Sequence, residues 1–284
     1  MRQLVRLDDV EIWCEAFGRA GDPAVLLVMG VGASGVSWPD ELCQALAAPG
    51  RYVIRYDHRD TGLSSRVDFG SRPYTLADMA RDAVGVLDAL DVPAAHVVGA
   101  SMGGMVAQEI AIGYPERVLT LTSMISTPTV NQQANPTEFV ADLPPMDLSR
   151  LAPVFAAAPD GGDPVAAALR LARAATGSRG FLNEDAFRRQ TERALAHGPG
   201  GDGSQNHSQA ISSSRDRREL LKGVSAPTLV VHGTEDPFFP YPHGVATAEA
   251  VPGARLVTID GMGHELPPTP DLVALIESQL GARA

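Results

Sequence analysis

Apolar residues recur along this chain in two spacings, and each spacing predicts a different kind of element. Short runs rich in Val, Ile and Leu predict strands at about 3–7, 11–17, 25–29, 52–56, 95–99, 118–124, 227–232 and 255–259. Apolar residues three and four positions apart predict helices near 39–48, 76–90, 102–113, 241–250 and 270–281. After the second strand the two kinds of element alternate, which is typical of an α/β protein with a mostly parallel sheet. We therefore expect eight strands flanked by helices, with the first two strands forming an antiparallel hairpin.

The interval 129–223 departs from this alternation. Its apolar spacing predicts three helices, near 148–158, 163–176 and 184–197. The glycine-rich break Gly198–Gly203 follows, as a mobile loop or as a linker between helices. We expect a helical cap inserted after the sixth strand, so that residues 1–128 and 224–284 form the core and 129–223 the cap.

A cap in this position would cover a ligand pocket at the end of the sheet. Its large apolar side chains are candidates for lining that pocket, and they are Phe139, Met146, Phe155 and Phe181. Apolar residues at helical spacing usually pack in a core, and this is the more ordinary interpretation of all four.

A candidate nucleophile stands where the fifth predicted strand meets the next helix. The segment Gly99-Ala100-Ser101-Met102-Gly103 fits the pattern Gly-x-Ser-x-Gly, in which small residues permit a sharp turn with the serine in a strained conformation. A helix that begins just after Ser101 also directs its N-terminal N–H groups toward this position. Because a glycine-rich turn can be purely structural, the significance of the pattern depends on the rest of the chain.

Two further strands end in residues of the types that activate a serine. The seventh strand leads to Asp236, and the eighth leads to His264, which lies between glycine and glutamate. An imidazole takes the proton from a serine hydroxyl, while a carboxylate orients the imidazole and stabilises its charged form. We therefore assign Ser101 as the nucleophile, His264 as the base and Asp236 as the acidic member of the triad.

Other carboxylates are weaker candidates for the acidic member. We prefer Asp236, which directly precedes Pro237. The alternatives lie beside it or near the histidine in sequence, and they are Glu235, Asp260, Glu265 and Asp271. His232 lies within an apolar strand end, so we interpret it as a packed histidine and not as a base.

The third predicted strand supplies a candidate oxyanion hole. It runs into Met29-Gly30-Val31-Gly32, a bend in which a main-chain N–H can turn toward the serine. We expect the N–H groups of Val31 and Met102 to be the donors, with Gly30 and Gly32 next to the substrate. Taken alone, the segment fits a tight structural turn equally well.

The charged residues of the loop 57–64 have two interpretations. Asp57, Arg59 and Asp60 either bind substrate or hold the loop through ion pairs and Asx-type hydrogen bonds, and we favour the second. We assign no catalytic role to His58.

Composition limits the partners and the compartment. The formal net charge is −11, whereas nucleic acids and anionic membranes require a basic surface, so we expect neither as a partner. We find no apolar run of about 18 residues, as a membrane helix needs, and no signal-peptide pattern in the first ten residues. Cys14 and Cys43 lack the spacing of metal ligands and suit free thiols in a reducing compartment. We therefore expect a cytoplasmic protein with a small-molecule partner and no metal.

Taken together, these motifs resemble those of a known family. The resemblance is carried by Met29–Gly32, Trp38-Pro39, Arg55–Ser64, Gly99–Gly104 and Gly261–His264. They are similar to motifs of the α/β-hydrolase fold serine hydrolases, and most similar to those of actinobacterial esterases related to aclacinomycin methylesterase. The order Ser, Asp, His along the chain is the order of that fold.

The resemblance has consequences for the site and the reaction. It implies Ser101, Asp236 and His264 as the triad, Val31 and Met102 as oxyanion donors, and no cofactor. The expected activity is hydrolysis of a carboxylic ester through an acyl-enzyme, with polyketide-like methyl esters as the substrates that the resemblance implies. Lactonases, thioesterases, haloperoxidase-type perhydrolases and carbon–carbon bond hydrolases use the same groups, and the fold does not separate them. A non-catalytic small-molecule receptor is an alternative from another class.

Overall fold

The structure is a computed structural model that describes residues 1–129, 143–156, 162–198 and 203–281. In this part of the chain one sheet contains the strands β1 (Arg2–Arg6), β2 (Glu11–Phe17), β3 (Ala24–Val28), β4 (Tyr52–Tyr56), β5 (Ala95–Ala100), β6 (Val118–Met124), β7 (Thr228–Gly233) and β8 (Arg255–Ile259). The helices are α1 (Asp40–Ala47), α2 (Leu76–Ala89), α3 (Met102–Gly113), α4 (Leu148–Ala156), α5 (Pro164–Ala175), α6 (Glu184–His197), α7 (Gly203–Ser212), α8 (Arg218–Leu221), α9 (Pro242–Ala250) and α10 (Thr269–Leu280).

The sheet has the strand order β1-β2-β4-β3-β5-β6-β7-β8. β1 pairs with β2 and β2 with β4 in antiparallel fashion, while all other neighbouring pairs are parallel. This confirms the predicted hairpin followed by a mostly parallel sheet. The carboxyl ends of β3, β5, β6, β7 and β8 therefore lie along the same edge, where α/β sheets bind their ligands.

The central strands are buried on both faces. Alternate residues of β3 belong to two separate hydrophobic clusters: Leu26 and Val28 lie in one, whereas Val25 and Leu27 lie in the other. The first cluster includes apolar residues of α2 and α3, and the second includes residues of α1 and α10. Because both faces are covered, these strands are continuous apolar runs, which is why the sequence pattern identified them.

A helical insert, comprising α4 to α8, lies between β6 and β7. The three predicted helices of this interval are confirmed as α4, α5 and α6. Helices α7 and α8 were not predicted from the sequence, because α7 has the polar sequence GSQNHSQAIS and α8 has only four residues. Residues 199–202 of the glycine-rich break and the candidate Phe139 lie outside the described residues.

Helix ends in the core are fixed by side chains as well as by packing. At the start of α2, the Thr75 hydroxyl accepts a hydrogen bond from the Asp78 N–H, and the Asp78 carboxylate accepts one from the Thr75 N–H. This capping box satisfies two N–H groups that the helix itself leaves unpaired. Within the described ranges, no helix combines the length and apolar character needed to cross a membrane.

Candidate active site

Ser101 occupies the turn between β5 and α3. Its φ and ψ are 57° and −124°, a left-handed conformation that non-glycine residues rarely adopt. The Ser101 N–H donates to the Met124 carbonyl at 2.9 Å, and the Ser126 hydroxyl donates to the Ser101 carbonyl at 2.8 Å. These bonds to β6 and the residues after it hold the strained serine in place, and the predicted conformation of the turn is confirmed.

Two glycines of the pattern are required by close packing. A Cβ added to Gly99 would collide with the Gly103 carbonyl, and a Cβ added to Gly103 would collide with the Val28 carbonyl at the end of β3. The first turn of α3 can therefore lie against both β5 and β3. This close approach places the N-terminus of α3 beside the loop that follows β3.

His264 lies between Ser101 and Asp236. Its Nε2 atom is 3.0 Å from Ser101 Oγ, and its Nδ1 atom is 2.8 Å from Asp236 Oδ2. Because the Asp236 carboxylate accepts, Nδ1 carries the proton and Nε2 is left as the acceptor for the serine hydroxyl. The structure thus brings together the three side chains that the sequence analysis assigned to a triad.

Asp236 is buried and is held by its own loop. Its Oδ1 atom accepts hydrogen bonds from the N–H groups of Phe238 and Phe239, both at 2.9 Å. Burial by itself raises the pKa of this carboxyl, but the charge and hydrogen bond of His264 and the Phe239 N–H outweigh burial, and the pKa lies below its usual value. Asp236 is therefore ionised at neutral pH and leaves one oxygen free to orient the imidazole.

The competing candidates have other partners. Glu235 accepts from the N–H and hydroxyl of Ser178, and Glu265 accepts from the Gly177 N–H. Burial is the main cause that raises the pKa of Glu265. Asp260 accepts from Thr234, and Asp271 is exposed near the start of α10. In this structure none of these four carboxylates contacts an imidazole nitrogen of His264.

His232 is buried beneath the Asp236 loop. Its Nε2–H donates to the Phe239 carbonyl at 2.7 Å, and its Nε2 atom is 3.8 Å from Asp236 Oδ2. Burial lowers the pKa of His232 and favours its neutral form. His232 is thus a packed histidine, as predicted, and it supports the loop that carries Asp236.

The loop after β3 lies next to Ser101. A Cβ built on Gly30 would be 3.3 Å from Ser101 Cβ and 3.7 Å from its Oγ atom, so the backbone of Gly30 borders the serine. Met102 is the first residue of α3, and the helix does not use the N–H of this position. Gly32 faces elsewhere, because its N–H donates to His207 Nδ1 at 3.0 Å. Of the two glycines expected beside the substrate, Gly30 is therefore the one next to Ser101.

Asp57 and Arg59 hold the loop that follows β4. The Asp57 carboxylate is fully buried and accepts from the N–H groups of Gly35 at 2.7 Å and Leu63 at 2.8 Å. Arg59 forms a buried ion pair with Asp82 through two hydrogen bonds of 2.7 Å. These contacts match the structural interpretation of the two charges.

The next residues of that loop also have protein partners. Asp60 accepts from the Tyr74 hydroxyl and from the Val67 N–H, both at 2.6 Å. His58 is buried, and its Nε2–H donates to the Met29 carbonyl at 3.0 Å. His58 thus contacts the loop after β3 and not Ser101 or Asp236.

Phe238 lies near the site and was not identified from the sequence. The ring of Phe238 lies 4.7 Å from the imidazole of His264, and Phe155 of α4 lies 6.4 Å from Phe238, measured between ring centroids. Phe155 is 55% exposed, so among the described candidate pocket residues it presents an accessible aromatic ring next to Phe238. Phe181 instead packs against a hydrophobic core cluster, and Met146 is half-buried.

Metal-ligand groups and the two cysteine thiols are the remaining candidates for chemistry in the described residues. Within the four described ranges, no group of three or more His, Cys, Asp and Glu side chains is arranged to hold a metal ion. Cys14 and Cys43 are both buried as free thiols, and burial raises the pKa of Cys14 to about 11 and that of Cys43 to about 12. Both thiols are therefore protonated at neutral pH, and neither is a competing nucleophile.

A mostly parallel sheet with a serine on a strained strand-to-helix turn defines the class of α/β hydrolases. The chain belongs to the alpha/beta hydrolase fold family, whose model matches residues 23–269, and it is an enzyme of the hydrolase class. This confirms the fold and the family that the motifs indicated.

Two curated relatives are similar to nearly the whole chain. Rhodomycin D methylesterase DauP of Streptomyces sp. (strain C5) is 37% identical over an alignment that covers 93% of this chain and 92% of that protein. Rhodomycin D methylesterase DnrP of Streptomyces peucetius is 36% identical with the same coverage. Among solved structures, a hydrolase from Pseudomonas aeruginosa PA01 matches with a TM-score of 0.73 and 28% identity, over 99% of this chain and 98% of that chain.

Proposed function

We propose that this chain is a cofactor-independent carboxylic ester hydrolase that uses Ser101 as its nucleophile. The observation that carries the proposal is the continuous chain of contacts from Ser101 Oγ through His264 to Asp236, at 3.0 and 2.8 Å. These lengths are within the hydrogen-bond range that proton transfer needs. The strained turn presents the serine at the carboxyl edge of the sheet, which is where this fold binds ligands.

The reaction proceeds in two halves. Ser101 Oγ attacks the ester carbonyl carbon while its proton passes to His264 Nε2, and the N–H groups of Val31 and Met102 stabilise the oxyanion. Collapse of the tetrahedral intermediate breaks the bond to the alkoxide, which leaves as an alcohol with the proton from His264. Water then gives its proton to His264, attacks the acyl-enzyme and releases the acid. Asp236 orients the imidazole and stabilises its charged form in both halves.

The substrate class is proposed from two supports. The relatives named above are rhodomycin D methylesterases by name. The ring of Phe238 lies beside His264, and the accessible ring of Phe155 meets Phe238 edge-on, so the two rings form an aromatic surface that begins at the reacting groups. A flat hydrophobic acyl group can stack on such a surface, and aromatic pairs of this kind contribute about 0.5–1.5 kcal/mol. We therefore propose methyl esters of flat, polyketide-like acids as substrates, with the helical insert as a cap over them.

The test compares the wild-type protein with Ser101→Ala on p-nitrophenyl acetate, with mass spectrometry to detect an acetyl group on Ser101. We expect the substitution to lower kcat by up to about 10⁶-fold and to abolish the adduct. Ser208→Ala is the matched control, because Ser208 is exposed on α7 and its hydroxyl bonds within its own helix. Turnover by Ser101→Ala at the wild-type rate would overturn the proposal.

A further inference from the structure

We propose that His207, which α7 of the helical insert carries, is a positioning residue for the loop that forms the oxyanion hole. The inference rests on the proposed function, because it assigns to His207 the task of holding the Val31 N–H in place for that reaction. His207 is far from this loop in sequence, since it lies 175 positions after Gly32.

The hydrogen bonds of His207 determine which of its nitrogens carries the proton. Its Nε2 atom lies 2.8 Å from the Arg59 carbonyl, which can only accept, so Nε2 carries the proton. Its Nδ1 atom lies 3.0 Å from the Gly32 N–H, which can only donate, so Nδ1 is the acceptor. A neutral imidazole with its proton on Nε2 satisfies both bonds. His207 thereby ties the loop after β3 to the loop after β4.

The surroundings of His207 maintain this neutral form. The side chain is completely buried, and burial lowers its pKa below the usual value for histidine. A charged imidazole would have a proton on Nδ1 and would repel the Gly32 N–H. The contact is therefore compatible only with the state that burial favours.

The loop from Met29 to Gly32 is held from both ends. At its start, the Met29 carbonyl accepts from His58 Nε2–H at 3.0 Å, and at its end the Gly32 N–H donates to His207. Val31 lies between these two fixed peptide groups. The first turn of α7 also packs closely on Gly32, because a Cβ added there would collide with the Ser204 hydroxyl. The direction of the Val31 N–H thus depends on where α7 sits.

A neighbouring residue of α7, Asn206, attaches the insert to the core without positioning the loop after β3. The Asn206 amide donates to Asp60 Oδ2 and to the Val67 carbonyl, both at 3.0 Å, and so attaches α7 to the core without contacting the loop after β3. Loss of the Asn206 bonds therefore weakens the attachment of α7 to the core but leaves the bond to Gly32 in place. Loss of the acceptor on His207 also leaves the half-buried Gly32 N–H without its partner.

Two substitutions of His207 each preserve one of its bonds. His207→Asn places an amide oxygen near the position of Nδ1 and so preserves the acceptor for Gly32. His207→Gln places an amide nitrogen near the position of Nε2 and so preserves the donor to the Arg59 carbonyl. Asn206→Ala is the control for weakened attachment of α7. Thermal unfolding and circular dichroism establish that each variant is folded at the assay temperature.

The readouts are kcat and KM on p-nitrophenyl acetate, and the rate at which a fluorophosphonate probe labels Ser101. The probe forms a bond between Ser101 Oγ and phosphorus, fluoride leaves, and the serine proton passes to His264, so labelling does not depend on the choice of ester. The phosphoryl oxygen occupies the oxyanion hole during this step. Labelling therefore reports the geometry of the hole directly.

We expect His207→Gln to lower both kcat and the labelling rate by roughly ten- to a hundredfold with KM little changed, somewhat less than the 10²–10³ lost with an entire oxyanion donor. His207→Asn should recover most of both rates, and Asn206→Ala should lower stability while leaving both rates near wild type. Equal losses in the two His207 variants, or a wild-type labelling rate in folded His207→Gln, would overturn the inference. If the wild-type protein is not labelled at Ser101, the proposed function fails and this inference fails with it.

Discussion

Ser178 donates two hydrogen bonds to the carboxylate of Glu235, from its N–H at 2.7 Å and from its hydroxyl at 2.6 Å. Glu235 precedes Asp236, whereas Ser178 belongs to the turn after α5. The same turn region contacts the histidine loop, because the Ala175 carbonyl accepts from the His264 N–H at 2.8 Å. One short segment of the helical insert therefore contacts both loops that carry the partners of Ser101.

This relationship predicts that Ser178→Ala lowers kcat several-fold. The substitution removes the hydroxyl bond and so lets the loop of Asp236 move relative to His264, while the fold keeps its core contacts. Steady-state kinetics on p-nitrophenyl acetate measure the change. The matched control is Ser149→Ala, which removes a similar exposed hydroxyl bond to Asp147 in the same insert. Equal kcat values for the two variants would argue against a role for the Ser178 contact.

The lowered pKa of Asp236 predicts that the folded protein loses stability in acid. Its pKa in the folded protein lies below the value of about 3.9 expected in the unfolded chain. The stabilisation from its ionised form is therefore complete well above pH 4 and is lost as the pH falls through the folded-state pKa. Asp236→Asn lacks this titration.

Urea unfolding of the wild-type protein and of Asp236→Asn between pH 6 and 3 tests this loss of stability. The difference in unfolding free energy between wild type and Asp236→Asn should shrink as the pH falls. A difference that stays constant over that range would contradict the lowered pKa of Asp236.

At pH 7 the same Asp236→Asn substitution should lower kcat by about 10⁴-fold, because the asparagine amide favours the wrong tautomer of His264.

The aromatic surface beside His264 predicts a preference among esters. Phe155→Ala should raise KM for methyl 2-naphthoate by roughly two- to tenfold, which corresponds to the energy of an aromatic pair. KM for methyl butanoate should stay unchanged, since a short aliphatic chain cannot stack. Leu148→Ala is the control, because Leu148 is another exposed apolar residue of α4. If Phe155→Ala changed KM equally for the two esters, Phe155 would not contact the substrate.

Two glycines of α3 predict opposite effects of the same substitution. Gly103→Ala places a methyl group against the Val28 carbonyl and should destabilise the protein by about 1–3 kcal/mol, with loss of activity. Gly113→Ala meets no atom within 4 Å and should stabilise by about 0.4–1 kcal/mol. Urea unfolding measures both. Similar effects of the two substitutions would mean that α3 does not approach β3 as closely as described.

The sequence by itself determined the strands, most helices and the three residues that now lie in contact. Buried parallel strands need continuous apolar runs, and the carboxyl ends of such strands share one edge of the sheet. Ser101, Asp236 and His264 each follow such a strand, so their residue types and chain order were enough to place them together. Gly99 and Gly103 were likewise identifiable, since a sharp strand-to-helix turn requires them.

The tertiary structure decided what supports these residues. The bond between His207 and Gly32 joins residues 175 positions apart, and α7 carries no apolar pattern that would predict where it lies. Ser178 and Glu235 are polar residues that would be equally plausible facing solvent. Such contacts depend on how the insert docks on the core, and docking follows from the packing of whole surfaces. Local spacing predicts which face of an element is buried, whereas the partner of a polar side chain is fixed only when distant segments meet.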